Sequence, residues 1–178
     1  MSEEVFINME REVFKGNVLD VGFENYGVIY SLCKQGEDEI AIEYISGKGE
    51  TQSIKEKVYD SCILLFSLNY VWLKMNKRSL IKFICRFIKE DGIIYLWDID
   101  KGYGKIFNKK IKIVLPDKKV KIIEIKEMNI LKDSSKNTVV NILRQYFDII
   151  DVKSSDNVYF IKGRRKGRES SEDKLNWH

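Results

Sequence analysis

One segment constrains the fold more than any other: Asn17-Val18-Leu19-Asp20-Val21-Gly22-Phe23-Glu24-Asn25-Tyr26-Gly27. Its pattern predicts a strand over 18–21, a glycine turn, and a helix over 26–34. Such a turn brings backbone N–H groups and a helix start to the carboxyl end of a strand, where open α/β sheets bind nucleotide-like ligands. Glu24 stands where a nucleotide-binding loop usually has its middle glycine. The segment therefore predicts a cofactor site, or the remnant of one.

Strand and helix patterns alternate through the first half of the chain. Residues 39–45 alternate and are rich in Ile, and 58–68 form a nearly continuous apolar run, so both are predicted strands. Residues 77–90 have apolar side chains at helical spacing, Asp91-Gly92 is predicted to end this helix, and a further strand is predicted over 93–97. The alternation predicts a mainly parallel sheet with helices on both faces.

The second half predicts antiparallel elements. Residues 110–115 and 119–125 flank Pro116-Asp117 and predict a hairpin, with a bulge at Ile122-Ile123 where the alternation breaks. Ser134 or Ser135 is predicted to cap the next helix. Residues 148–153 and 158–162 predict a closing hairpin. Before the first strand, residues 10–15 are predicted to form or end a lead-in helix.

Length and composition limit the possible classes. The 178 residues predict one domain over 1–163, with the hairpin region 105–127 inserted, and a disordered polar tail over 164–178. No apolar run has transmembrane length, and the acidic start lacks a signal-peptide pattern, so we expect a cytoplasmic protein without a membrane partner. The three cysteines are predicted to be buried apolar residues, and their spacing predicts no metal site. The basic residues 162–168 could contact nucleic acid, although a solvated tail is favoured.

Four local matches, in the right order, resemble class I S-adenosylmethionine-dependent methyltransferases, and the resemblance covers roughly residues 10–163. Val18-Leu19-Asp20-Val21-Gly22 is similar to the family's first motif, and Glu43, at the end of the predicted second strand, is similar to the acid that holds the ribose hydroxyls. The segment 59–68 resembles the fourth motif, in which a Tyr-Asp pair precedes an apolar strand. The helix, Asp91-Gly92 and strand over 77–97 resemble the passage that follows it.

The resemblance implies an α/β, Rossmann-like fold with an antiparallel C-terminal strand, and S-adenosylmethionine as cofactor. It implies cofactor-binding roles for a set of residues in and around the matched motifs: Asp20, Gly22, Glu24, Gly27, Glu43 and Ser67. Two departures affect this set. Glu24 replaces the second glycine, and its carboxylate either crowds the cofactor's own carboxylate or turns outward while Gly27 supplies the bend. Only fifteen residues separate Glu43 from Tyr59, so the third strand is predicted to be reduced or missing, and Glu50 and Glu56 are the only nearby acids for an adenine contact.

The acceptor side is less defined. The resemblance implies that Asn69, Tyr70 and Trp72, after the fourth-motif strand, could contact a methyl acceptor, as in the Asn-Pro-Pro-aromatic loop of amino-group methyltransferases, but both prolines are absent. Asp98 and Asp100 end a predicted strand at the same edge and could act as a base or bind a cation. Methyl transfer needs no metal and often no strong base, so the lack of an internal histidine is compatible with it.

Three functions stay open. The first is methyl transfer to an unknown acceptor, which retention of Asp20, Gly22 and Glu43 favours. The second is a catalytically inactive, methyltransferase-like module that binds a protein partner, which Glu24 and the short second crossover favour. The third is an NAD site, because Gly22 and Gly27 have the first-to-third glycine spacing of that fingerprint.

Overall fold

The computed structural model describes residues 3–34, 41–46 and 54–167. These residues form strands, which are, in chain order, β1 (Glu3–Asn8), β2 (Val18–Gly22), β3 (Ile42–Ser46), β4 (Tyr59–Leu65), β5 (Ile88–Ile99), β6 (Phe107–Val114), β7 (Val120–Glu127), β8 (Phe147–Ser155) and β9 (Val158–Arg165). The helices are α1 (Val28–Lys34), α2 (Lys74–Cys85) and α3 (Lys136–Leu143), with a short 3₁₀ helix at Leu68–Tyr70. No helix among the described residues is both long enough and apolar enough to cross a bilayer.

Six strands form the main sheet, in the order β3-β2-β4-β5-β9-β8. Strands β3, β2, β4 and β5 are parallel, whereas β9 is antiparallel to both β5 and β8. The predicted mainly parallel sheet with an antiparallel C-terminal strand is therefore confirmed. From β2 the chain goes to β3 on one side and then to β4 on the other, so the carboxyl ends of β2 and β4 flank the point where the strand order reverses.

The main sheet is covered by helices on both faces, but one face is shared with a second sheet. Helices α2 and α3 pack on one face around Ile81, Ile84 and Val139. On the other face, α1 packs beside a three-stranded sheet of order β1-β6-β7. Ile111 of β6 and Trp97 of β5 belong to the same buried cluster, so both sheets share one core.

The lead-in helix predicted over 10–15 is wrong. The element that precedes these residues is β1, which ends at Asn8 and pairs in parallel with β6, from Glu3 opposite Lys109 to Asn8 opposite Val114. Val5 is buried while Phe6 beside it is exposed, which is the alternation of a strand with one covered face. Residues 9–17 then cross to the main sheet without a helix.

The boundary between α2 and β5 also differs from the prediction. The helix ends at Cys85, and Ile88 already pairs with Tyr59 of β4. Asp91-Gly92 therefore lies inside β5 and not at a helix end. The register shifts there, since Ser61 pairs with Ile93, and Asp91 has φ +62°. The apolar residues Ile84, Cys85, Phe87 and Ile88 fit a helix face or a strand equally well, so their spacing alone could not place the junction.

Strands β6 and β7 pair antiparallel around Pro116-Asp117. The predicted bulge at Ile122-Ile123 is wrong, because the register runs without a shift from Phe107 opposite Glu127 to Val114 opposite Val120. Ile123 is buried against the main sheet, and Ile122 is 58% exposed on the outer face. The alternation is therefore broken by an exposed isoleucine and not by an extra residue in the strand.

The chain closes as predicted, with a hairpin of β8 and β9. Its two-residue turn is Asp156-Asn157, and both residues have positive φ, 53° and 63°, which suits the twist of a tight hairpin. Arg164 and Arg165, which the prediction assigned to the polar tail, lie in β9. Residues 168–178 and 47–53 are outside the described residues, so the rest of the tail, Glu50 and the loss of a third strand stay predictions.

The three cysteines are buried, as predicted: Cys33 in α1, Cys62 in β4 and Cys85 in α2. Among the described residues, no group of His, Cys, Asp and Glu side chains is arranged to hold a metal ion.

Candidate functional site at the carboxyl edge of the sheet

The glycine turn lies at the carboxyl end of β2, between Gly22 and the start of α1 at Val28. A Cβ on Gly22 would lie 3.1 Å from the Glu24 carbonyl oxygen and 3.3 Å from the Tyr44 ring, so the backbone there is closely approached. Gly27 has φ +63° and supplies the bend. Its N–H donates to Asn25 Oδ1 at 2.9 Å, and its carbonyl oxygen accepts from Lys121 Nζ at 2.6 Å. Strand β7 therefore holds the turn in place.

Glu24 is exposed, and its carboxylate lies beside the Tyr26 and Tyr70 hydroxyls. An aromatic cluster of Phe23, Tyr26 and Tyr70 lies beside it. The Tyr26 and Tyr70 hydroxyls are 3.1 Å apart, and the Phe23 and Tyr70 rings stack with centroids 5.6 Å apart. Burial, the Tyr70 hydroxyl and the Glu24 carboxylate raise the pKa of Tyr26 above its usual value. Aromatic side chains of the glycine turn are thus in contact with Tyr70 in the segment after β4.

Asp20 lies opposite Ile63 of β4 and Tyr44 of β3, two residues before Gly22. Burial raises its pKa from 3.8 to about 7, and its charge in turn helps to raise the pKa of Cys33 in α1. Near neutral pH this carboxyl group is therefore partly protonated.

Glu43 does not share an edge with Gly22, and the prediction that it ends the second strand is wrong. It is the second residue of β3 and pairs with Leu19, whereas Gly22 pairs with Ser46. Its carboxylate accepts a hydrogen bond from the hydroxyl of Tyr59, the first residue of β4. That partner draws the Glu43 side chain toward the amino end of the sheet.

Ser67 and Asn69 lie after β4 at the predicted edge, but their polar groups bond to the protein itself. The Ser67 hydroxyl donates to the Val21 carbonyl oxygen at 2.6 Å and joins the ends of β4 and β2. The Asn69 side-chain amide donates to the Phe66 carbonyl oxygen at 2.9 Å. Both residues are buried. The Asn69 carbonyl oxygen also accepts a hydrogen bond from Lys132.

The neighbouring aromatic residues do face outward: Tyr70 is 40% and Trp72 57% exposed. Asp98 and Asp100, by contrast, do not form a carboxylate pair. Asp98 is sealed in the core, where it accepts from the Asn69 backbone N–H at 3.0 Å, and burial raises its pKa to about 6. Asp100 accepts from the backbone N–H of Lys136 at 2.9 Å and so caps the first turn of α3.

Three buried lysines were missed from the sequence, and we call them the lysine clamp: Lys77, Lys101 and Lys132. They bond to backbone carbonyl oxygens of the connections at this edge. Lys77 donates to Asp133 at 2.6 Å and Lys101 donates to Asn129 at 2.6 Å. One signal was available for Lys77, which precedes Ile81 and Ile84 at helical spacing and so lies on the apolar face of α2.

Two lysines of β6 pair with acids of β1. Lys109 pairs with Glu3 at 2.8 Å, and Lys112 pairs with Glu4 at 2.7 Å. Near the C-terminus, Arg165 donates to the Ile88 carbonyl oxygen. Contact with nucleic acid through 162–168 stays untested.

Comparison with known proteins gives a fold and no closer relationship. No protein-family model and no curated protein sequence matches the chain. Among solved structures it is similar to a putative type 11 methyltransferase from Sulfolobus solfataricus, with TM-score 0.58, 12% identity, and coverage of 88% of this chain and 87% of that one. An S-adenosylmethionine-dependent methyltransferase from Clostridium acetobutylicum gives TM-score 0.57 at 12% identity, covering 89% and 87%. One from Methanosarcina mazei gives 0.52 at 12% identity, covering 84% and 92%. The chain therefore has a methyltransferase-like, Rossmann-like α/β fold.

Proposed function

We propose that this protein transfers a methyl group from S-adenosylmethionine to an acceptor that is not yet identified. One observation carries the proposal: the glycine turn, with its closely approached Gly22, lies at the carboxyl end of β2 beside β4, within a methyltransferase-like fold. Ligands of open α/β sheets bind at this reversal of strand order.

The residues at the turn fit such a cofactor. Gly22 lets the Glu24 carbonyl oxygen and the Tyr44 ring pack closely against the turn, which fixes the shape of the loop, and the Glu24 side chain is exposed beside the Tyr26 and Tyr70 hydroxyls. The rings of the aromatic cluster suit a sulfonium cation, because aromatic faces attract positive charge. When bound, S-adenosylmethionine supplies an activated methyl group.

The chain's own part is to orient the acceptor and exclude water. The hydroxyls of Tyr26 and Tyr70 are polar groups at this edge that can accept or donate a hydrogen bond to an acceptor. Glu43 takes no part in the proposed reaction, because its carboxylate accepts a hydrogen bond from Tyr59 toward the amino end of the sheet.

Calorimetric titration with S-adenosylmethionine, S-adenosylhomocysteine and NAD tests the proposal. We expect binding of the first two and none of NAD. Gly22→Ala should weaken S-adenosylmethionine binding by about tenfold or more, since the added Cβ crowds the Glu24 carbonyl oxygen and the Tyr44 ring. Gly102→Ala is the matched control, because a Cβ there meets no atom within 4 Å. Binding of NAD alone would replace the proposal with the dinucleotide alternative.

A second candidate is a catalytically inactive module of the same fold, which binds a partner at this edge. The internal use of Glu43, Ser67 and Asn69 favours it, since each forms a bond within the protein where the resemblance implied a ligand contact. Absence of heat with all three ligands, from a chain with a cooperative thermal transition, would favour this function over methyl transfer.

A further inference from the structure

Three connections at the carboxyl edge expose large apolar side chains. Residues 66–78 follow β4 and enter α2, 101–106 follow β5, and 128–132 follow β7. The apolar rim, as we call six of their exposed apolar side chains, consists of Trp72, Leu73, Met75, Tyr103, Ile130 and Leu131. Each is more than half exposed. Monomeric proteins seldom display such a concentration of apolar surface without a partner.

The apolar rim is built on a fixed frame. The Gly104 N–H donates to the Ile130 carbonyl oxygen at 2.8 Å, which joins the second connection to the third. Lys132 donates to the Asn69 carbonyl oxygen, which joins the third to the first. Lys101 donates to the Asn129 and Lys132 carbonyl oxygens of the third connection, and Lys77 donates to the carbonyl oxygen of Asp133, the residue that follows it. The exposed side chains are therefore presented together as one surface.

The charge on these connections has a single sign. No residue of 66–78, 101–106 or 128–132 is acidic, and the exposed charged side chains are Lys74, Arg78 and Lys105. Glu24, exposed beside Tyr70, lies outside the three connections. A partner for this surface should therefore be negatively charged as well as apolar.

Acids that adjoin the connections are engaged within the protein. Glu127 pairs with Lys132 at 2.5 Å, and Asp133 accepts from Thr138 at 2.5 Å. Lys132 offsets the charge of Glu127, and Lys77 interacts electrostatically with Asp133, so these acids do not reverse the sign of the surface.

These properties select one occupant. A second copy would bring Lys74, Arg78 and Lys105 against their own like charges. A nucleic acid strand could stack on Trp72 and Tyr103 but would leave the aliphatic side chains without partners. An anionic bilayer accommodates both features, with aliphatic side chains and Trp at the acyl boundary and lysines among the headgroups.

We propose that the apolar rim docks this edge of the protein on an anionic lipid surface. The expectation of no membrane partner came from the lack of a long apolar run, which excludes a spanning helix but does not bear on peripheral contact. Docking does not depend on methyl transfer, because the apolar rim is complete without a cofactor.

Flotation of the full chain with lipid vesicles tests the proposal, in the absence of S-adenosylmethionine. We expect the protein to float with vesicles of equal phosphatidylcholine and phosphatidylglycerol, less so as salt is raised, and not with phosphatidylcholine alone. Failure to float with the mixed vesicles, or equal flotation with both, would overturn the proposal.

Two matched variants locate the contact. Leu131→Glu places a carboxylate on the apolar rim, and Ile122→Glu makes the same change at an exposed aliphatic residue on the outer face of β7. We expect Leu131→Glu to reduce the bound fraction about tenfold and Ile122→Glu to leave it within about twofold of the unaltered chain. Both positions are exposed, and thermal melting monitored by circular dichroism checks that each variant folds. An equal loss of vesicle binding in both variants would mean that the protein binds through its overall charge and not through the apolar rim, and would overturn the assignment.

Discussion

Asp20 shows how one buried carboxyl group can set the pH dependence of stability. Its folded-state pKa of about 7 lies above its ordinary value of 3.8, because burial disfavours the charged form. Below the ordinary value both states hold the proton and stability is unaffected. As pH rises toward 7 the unfolded chain loses this proton first, so the native state becomes relatively less stable, and above 7 the loss is constant.

Asp20→Asn should therefore become increasingly stabilising, relative to the unaltered chain, between pH 4 and pH 8. The expected gain across this range is roughly 2–4 kcal/mol, since one pKa unit corresponds to about 1.4 kcal/mol. Urea unfolding at several pH values measures it. Asp148→Asn, which removes an exposed carboxylate, should show no comparable trend. A constant difference between Asp20→Asn and the unaltered chain at all pH values would contradict the raised pKa.

Side-chain partners explain why the candidate site was only partly predictable. Gly22 was placed correctly at the end of the first main-sheet strand, because strand and turn patterns are local, whereas the helix that follows begins at Val28, two residues later than predicted. The bond between Glu43 and Tyr59, however, joins residues 16 positions apart, and nothing in the local pattern indicates it. The burial of Lys77 was not predicted, because lysine is rarely buried without a dedicated partner, which here is the Asp133 carbonyl oxygen.

At the scale of elements, Ser67 joins two neighbouring strands of the main sheet. Its buried hydroxyl donates a hydrogen bond to the carbonyl oxygen of Val21, near the end of β2. Its role is therefore to hold the carboxyl ends of β2 and β4 together. Ser67→Ala should lower the free energy of unfolding by about 1–3 kcal/mol, because the Val21 carbonyl oxygen loses its buried donor.

The control for Ser67→Ala is Ser79→Ala in α2, where an exposed hydroxyl donates to the Met75 carbonyl oxygen at 3.0 Å. That change should cost less than about 0.5 kcal/mol by the same urea titration. Equal effects of the two substitutions would show that the bond between β2 and β4 adds no particular stability.

The order of elements was more predictable than their partners. Buried runs identified β4 and the second part of β5, and the closing hairpin followed from a turn flanked by two strand patterns. The pairing of β1 with β6 could not be foreseen, since these strands are separated by most of the chain and either sheet could have received β1. Local periodicity determines the type of an element, while long-range packing determines its neighbour.

At the scale of the whole molecule, the second sheet belongs to the same core as the main sheet. Ile113 of β6 is fully buried in the cluster that also contains Trp97 of β5. Ile113→Ala should lower the free energy of unfolding by about 2–5 kcal/mol, because it leaves a cavity in this core. Unfolding should remain a single transition, with coincident midpoints by circular dichroism and by tryptophan fluorescence.

Ile122→Ala provides the comparison, since Ile122 is on the outer face of the same sheet and is 58% exposed. It should change the free energy of unfolding by less than about 0.5 kcal/mol. Separate midpoints for the two probes would mean that the small sheet unfolds independently of the main sheet. Equal losses of unfolding free energy from the two substitutions would mean that Ile113 does not belong to a core shared by both sheets.

Because Cys33, Cys62 and Cys85 are buried, their reaction with a thiol reagent reports local unfolding of the protein. They lie in α1, in β4 and in α2, and therefore in a layer on each side of the main sheet and in the sheet between them. Burial raises the pKa of Cys33 to about 11 and of Cys85 to about 12, so the folded chain offers almost no thiolate at neutral pH. An alkylating reagent would consequently record, cysteine by cysteine, which layer separates first and how often, with no label added to the chain.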